Sequence, residues 1–130
     1  IKNNILFGND KNLDEKKMNE ALKFSQVENF VKDFPKGIET IIGNNSKKIS
    51  SGQKQRIAIA RLFYNAREIL IFDEATNALD IETEKEIVKE VNSLKSNKTI
   101  ITITHKSSSL KFCDKIYKLT EKEGLIKNEK

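Results

Sequence analysis

Along the first half of this chain, apolar residues recur every three to four positions, the period of a helix with one buried face. In "LDEKKMNEALKFSQ", Leu13, Met18, Ala21 and Leu22 roughly share such a face. Asn12 is placed to cap this helix, and Asp14 and Glu15 fall in its first turn, where the macrodipole favours acids. Val27, Phe30, Val31 and Phe34 predict a second, short helix that stops at "PKG", where Pro35 and Gly37 break it. A polar loop, "GNNSKK", follows. From Ser50 the helical spacing resumes through Ile57, Ala60, Arg61 and Tyr64.

The pattern then changes. Ile69–Phe72 is a continuous apolar run, which predicts a strand buried on both faces, as in a parallel sheet. An amphipathic helix with Ile87, Val88, Val91 and Leu94 on one side follows Asp80. "KTIITITH" alternates β-branched residues and reads as a strand ending at His105. A short helix around Ser107–Phe112, a strand "KIYKL" and a hairpin turning near Gly124 complete the chain. Strands alternating with helices predict an α/β fold with a mainly parallel sheet. The expected division is a helical part over about 9–66 and a strand-bearing part over about 67–130.

The chain has 130 residues, one ordinary domain in length, and 37% of them are apolar, enough for a modest core. It begins at Ile1, and its single Met is Met18, so it is expected to be a piece of a longer protein. Uninterrupted apolar runs reach four residues, whereas a membrane-spanning helix needs about 20. No signal peptide is visible. Cys113 stands alone, which excludes an internal disulfide and suits a small buried apolar role. The net charge of +5 invites a nucleic-acid reading. Lys and Asp/Glu are interleaved, however, as in "LDEKKMNE" and "IETEKEIVKE", which describes a solvated surface rather than a phosphate-binding stripe. No nucleic-acid partner is expected.

The candidate chemistry lies between Ser50 and His105. Asp73 and Glu74 fall at the C-terminal end of the strand Ile69–Phe72, the edge where open α/β sheets bind ligands. Asp73 is suited to a hydrated Mg²⁺, and Glu74 to accepting a proton from, or orienting, an attacking water. A solvated pair capping the next helix is the plainer alternative. "SSGQ" places two hydroxyls and Gly52 at a helix start, where unpaired N–H groups and partial positive charge favour an anion. Ser50 or Ser51 acting simply as a helix cap explains the same residues. His105 ends a strand at the edge that carries Asp73, and Asp80 is poised to cap the helix after "ATNALD".

The order "ISSGQKQRIAIAR", "ILIFDEATNALD" and then a strand ending in "TH" resembles the ATP-binding-cassette ATPases over nearly the whole chain. The family's signature motif matches Ile49–Gln53, its Walker B segment Ile69–Asp73, its catalytic glutamate Glu74, its D-loop Asn77–Asp80 and its switch histidine His105. "NNILFG" resembles the segment just after the Q-loop, and "DEATNALD" and "KGIETIIG" resemble the exporter branch. The resemblance implies an incomplete P-loop NTPase fold: the helical signature subdomain and the C-terminal part of the sheet core. A phosphate loop, G-x-x-x-x-G-K-[ST], does not occur in the chain and is expected upstream.

The resemblance further implies ATP and Mg²⁺ as ligands and ATP hydrolysis by a longer parent protein, the isolated chain being inactive. Two cassettes would pair head to tail, each ATP lying between one subunit's phosphate loop and the other's signature helix. Ser50, Ser51, Gly52 and Gln53 would meet the partner's nucleotide, and Asp73 would hold Mg²⁺ through water. Glu74 would polarise the hydrolytic water, His105 would hold the terminal phosphate, and Asp80 would contact the partner subunit. The implied partners are a second nucleotide-binding domain and a transmembrane domain at the cytoplasmic face of a membrane. Ser51 stands where the family has glycine, "GNNS" stands where exporters often have "GERG", and Asn77 replaces the commoner serine. "SLKFCDKIYKL" resembles flippases for lipid-linked sugars. Two other readings are a soluble member of the superfamily acting on nucleic acid or ribosomes, and a non-catalytic binding module.

Overall fold

Helix caps organise the first half of the molecule. The computed structural model describes residues 1–7, 13–43, 49–65 and 67–128. Helix α1 spans Lys2–Leu6 and α2 spans Glu15–Phe24. Asp14 starts α2, its carboxylate accepting the Lys17 N–H at 3.0 Å. The expected cap, Asn12, lies outside the described residues. Asp14 therefore stands before the first turn instead of inside it, because its carboxylate satisfies an N–H that the helix leaves unpaired. Helix α3 spans Glu28–Val31, and a short 3₁₀ turn at Gly37–Glu39 follows the break at Pro35. The loop "GNNSKK" lies almost wholly outside the described residues. Helix α4, Ser51–Asn65, is the spine of this half.

One apolar cluster joins these helices. Met18, Ala21 and Leu22 of α2 enter it with Ile57, Ala60 and Tyr64 of α4, and Ile5 and Leu6 bring α1 in. Leu13, expected on the same face of α2, is exposed. Arg61 shares the spacing of the apolar face and acts there as a strut. Its Nε donates to the Asn4 carbonyl at 2.7 Å, and its guanidinium lies 4.6 Å from the centre of the Phe7 ring. Arg56 repeats the device, donating to the Gln26 carbonyl at 3.2 Å and covering the Phe30 ring at 4.7 Å.

The second half is built on strands. β1 (Ile69–Asp73) pairs in parallel with β2 (Thr99–Ile103), in a register that sets Asp73 opposite Ile103. Helix α5, Ile81–Ser93, makes the crossover that parallel pairing requires. Leu70 and Phe72 are buried, but Ile69 and Ile71 are each 59% exposed. Burial on both faces was expected of β1, and only one face is covered. No layer among the described residues lies over Ile69, Ile71, Ile101 and Ile103. Helix α6, Ser107–Leu110, leads to β3 (Ile116–Thr120) and β4 (Gly124–Asn128).

The hairpin expected near Gly124 is present, but its first strand, β3, stands apart from the parallel sheet that the strand–helix alternation predicts. This strand pairs antiparallel with β4, giving a separate two-stranded sheet among the described residues. A short turn brings β4 beside β3 at little cost in loop entropy, and Gly124 supplies the left-handed backbone at φ +69°. An apolar cleft of about 940 Å³, lined by Ile87, Val91, Ile100, Leu110 and Ile116 among others, separates the hairpin from β2. Strand β2 ends at Ile103, two residues before His105, which lies in the bend beyond it. Cys113 is half-buried, its thiol directed at the Ser109 carbonyl. No helix among the described residues is long and apolar enough to cross a membrane.

The Arg61 strut predicts a local effect. Arg61→Met should speed hydrogen exchange at the Ile5 and Leu6 amides by about tenfold, the loss of a charge-assisted hydrogen bond and a cation–π contact. Exchange in α5 should stay unchanged.

Candidate functional site

The N-terminus of α4 is a reciprocal cap. The Gln53 N–H donates to Ser50 Oγ at 3.1 Å, and the Ser50 N–H donates to Gln53 Oε1 at 3.0 Å. Ser50 is thus the cap and Ser51 the first helical residue, exposed to solvent. Two of the helix's unpaired donors are satisfied in this way. The N–H groups of Ser51 and Gly52 have no acceptor within the helix and point out of its positive end. Together with the Ser50 hydroxyl proton they form a donor set that fits an anionic oxygen.

A second group collects at the C-terminal edge of β1 and β2. The Glu74 N–H donates to the Ile103 carbonyl at 2.9 Å, which carries the parallel ladder one residue past the strand. Glu74 has φ +46°, the left-handed region that residues with a Cβ avoid. This conformation turns the chain sharply, and Asn77 closes the turn by donating from its backbone N–H to the Glu74 carbonyl at 3.1 Å. Asn77 Nδ2 also donates to Glu74 Oε2 at 2.9 Å. His105 Nδ1 lies 3.3 Å from Glu74 Oε1, with both side chains exposed. One carboxylate is therefore oriented by an amide on one oxygen and faces an imidazole on the other. Asp73 precedes it at the strand end.

The loop that follows the second group meets the helix tip of the first. A Cβ built on Gly52 would lie 2.8 Å from the Ala78 carbonyl oxygen, closer than a carbon and an oxygen can sit. Gly52 is small because the loop after β1 passes directly over it. Asp80 closes that loop as the cap of α5, its Oδ1 accepting the Thr83 N–H at 2.9 Å. This hydrogen bond, assisted by the Arg56 guanidinium, holds the Asp80 carboxyl below the usual carboxylate range.

The structure thus gathers Asp73, Glu74 and His105 at one sheet edge, and Ser50, Ser51, Gly52 and Gln53 at one helix tip. The sequence did not single out Gln55 and Lys106 as neighbours of the site, and Asn77, within the D-loop match, was not expected to reach the Glu74 carboxylate. An Asn three residues after the acid pair, and a Lys beside the only His, were the available signals. Among the described residues no group of three or more His, Cys, Asp or Glu side chains could hold a metal alone. Asp73 offers one carboxylate, which suits Mg²⁺, an ion that takes one or two carboxylates and fills its shell with water and phosphate oxygens.

The ABC transporter family model matches residues 2–77, more than half of the 130 residues. The chain belongs to the ABC transporter family. It is 42% identical over 117 residues to the ATP-dependent lipid A-core flippase of Pseudoalteromonas translucida, covering 90% of this chain and 20% of that protein. The flippase of the same name from Francisella tularensis subsp. holarctica is 43% identical over 116 residues, covering 89% of this chain and 19% of the relative. The multidrug resistance protein sirA of Leptosphaeria maculans is 38% identical over 120 residues, covering 92% and 10%. The solved structure of a bacterial Atm1-family ABC exporter with ATP bound superposes with a TM-score of 0.80 at 35% identity, covering 88% of this chain and 20% of that one. The chain thus spans about a fifth or less of the relatives it matches, and its fold is part of the ABC ATPase fold.

The contact at Gly52 fixes the sign of a substitution. Gly→Ala inside a helix ordinarily stabilises by about 0.5–1 kcal/mol. Gly52→Ala should instead destabilise by about 1–3 kcal/mol, because a backbone carbonyl must move to admit the methyl. Urea unfolding of the protein carrying the substitution reads the sign directly.

Proposed function

We propose that this chain is part of the ATP-hydrolysing motor of an ABC exporter, with its helices bearing the signature helix and its strands bearing the catalytic edge. The observation that carries the reading is the meeting of Glu74 and His105. Residues from the ends of two parallel strands converge there, with the acid held in a left-handed backbone conformation. A strained, oriented carboxylate beside an imidazole is arranged for work on a substrate and contributes nothing to burial. Support also comes from the lipid A-core flippases and the exporter structure matched along most of the chain.

On this reading Glu74 accepts hydrogen bonding from the attacking water and aligns it, with Asn77 fixing the carboxylate's orientation. His105 donates to an oxygen of the transferring phosphoryl group. Asp73 would hold Mg²⁺, which would neutralise charge on the phosphate oxygens. Ser50, Ser51 and Gly52 donate to the terminal phosphate of the nucleotide carried by a second cassette. Gln53 keeps that helix tip in shape through the reciprocal cap. Asp80, already a cap, lies where a partner cassette would meet the loop. Catalysis of this kind is mainly positioning and charge stabilisation.

The partners follow from the same reading: a second nucleotide-binding domain, and a transmembrane domain whose cytoplasmic side receives the motor. Closure of the cassette pair on ATP and its opening after hydrolysis would drive the membrane helices between two states. A lipid flippase and a multidrug resistance protein match this chain at comparable identity. The cargo is accordingly set by the membrane part and not by these residues.

In a parent protein that carries the phosphate loop, Glu74→Gln should lower ATP turnover by about 100-fold or more, the range for removing a general base. The variant should accumulate as an ATP-bound dimer, visible by size exclusion. Normal turnover would remove Glu74 from this role. The purified 130-residue chain should hydrolyse no measurable ATP, and turnover by it would show that the phosphate loop is dispensable.

A further inference from the structure

Both backbone polar groups of Ala78 are turned toward the first turns of α4. Its N–H donates to Gln55 Oε1 at 3.0 Å across 23 residues of sequence. Its carbonyl oxygen sits over Gly52, at 2.8 Å from the position a Cβ would take. The loop that contains Ala78 is braced from the opposite side as well. Lys106, next to His105, donates from Nζ to the Thr76 carbonyl at 3.0 Å and to Glu84 Oε2 at 2.6 Å. Inside the loop, the Leu79 N–H bonds the Thr76 carbonyl at 3.2 Å, and Asn77 ties the loop to the Glu74 carboxylate. Little slack is left between Ala78 and Glu74.

We infer that Gln55 is a positioning residue that links the helix tip of Ser50 and Gly52 to the loop carrying Glu74 through its bond to the Ala78 N–H. The inference rests on the function proposed above. There the anion at the helix tip and the one at Glu74 belong to different nucleotides, so the link couples two ATP sites through a single chain. Steric contact at Gly52 can only push the loop. The Gln55 bond is what lets α4 also pull it, giving a contiguous hydrogen-bonded route by which a shift at one site biases the other. Nothing in helix formation asks for Gln at this position, since its side chain oxygen is spent on a residue of another element.

Two near-isosteric variants of the full-length transporter separate coupling from folding. Gln55→Glu keeps an acceptor for the Ala78 N–H, and Gln55→Met keeps the shape without one. ATP hydrolysis is measured against ATP concentration, alongside the melting temperature. Wild type and Gln55→Glu should share a Hill coefficient above one. Gln55→Met should fall to a Hill coefficient near one, with kcat lowered about fivefold, the size of one lost hydrogen bond, KM little changed and melting temperature matching that of Gln55→Glu. Wild-type kinetics in Gln55→Met, an equal fall in both variants, or a wild-type Hill coefficient of one overturns the inference while leaving the ATPase reading intact. Absence of ATP hydrolysis by the wild type overturns the proposed function and this inference with it.

Discussion

Where the carbonyl of Ala78 crosses the start of α4 there is room for a hydrogen atom and nothing larger. That close approach decides how the two halves of the molecule meet. It requires glycine at position 52, brings Gln55 within reach of the Ala78 N–H, and sets the loop 74–80 across the tip of α4. The reciprocal cap of Ser50 and Gln53 then determines which N–H groups of the tip remain available. Segments that look like independent motifs in the sequence are joined through the Ala78 backbone, which passes over a glycine and meets the Gln55 side chain.

The sequence reading and the structure agree where local physics decides. Helix periodicity located α2, α4 and α5, and the parallel pairing of β1 with β2 follows from an apolar run, a crossover helix and a β-branched run. The candidate residues were legible as two clusters, since strand ends and helix starts are readable from pattern. Agreement stops where distant segments compete. Whether β1 is covered on both faces depends on layers that periodicity cannot see, and Ile69 and Ile71 stand exposed. Whether "KIYKL" joins the parallel sheet or folds back on its neighbour is a contest between loop closure and long-range pairing, and the nearby hairpin won. Asp14 stands as the cap of α2 and not in its first turn because a cap is settled by a single side-chain hydrogen bond, which residue spacing locates only to within a position or two.

Polar side chains give the site its second layer of organisation. Arg61 and Arg56 fasten the helical half, each pairing a carbonyl with an aromatic face. Lys106 does comparable work in the strand-bearing half, where its ammonium bridges Thr76 and Glu84. Glu84 is buried, so this ion pair is partly shielded from water and holds its geometry better than a surface pair would. The replacement of the family's usual serine by Asn77 also acquires meaning here, since the amide reaches the carboxylate of Glu74.

The left-handed backbone at Glu74 sets the ease of the turn against the side chain it carries. Glycine would occupy that conformation without strain, and asparagine nearly so. The replacements that would silence the carboxylate are therefore the ones the backbone would welcome. Exchange of Glu74 for glycine would thus relax the bend and remove the carboxylate in one step, so backbone comfort and the presence of that acid are opposed at a single position.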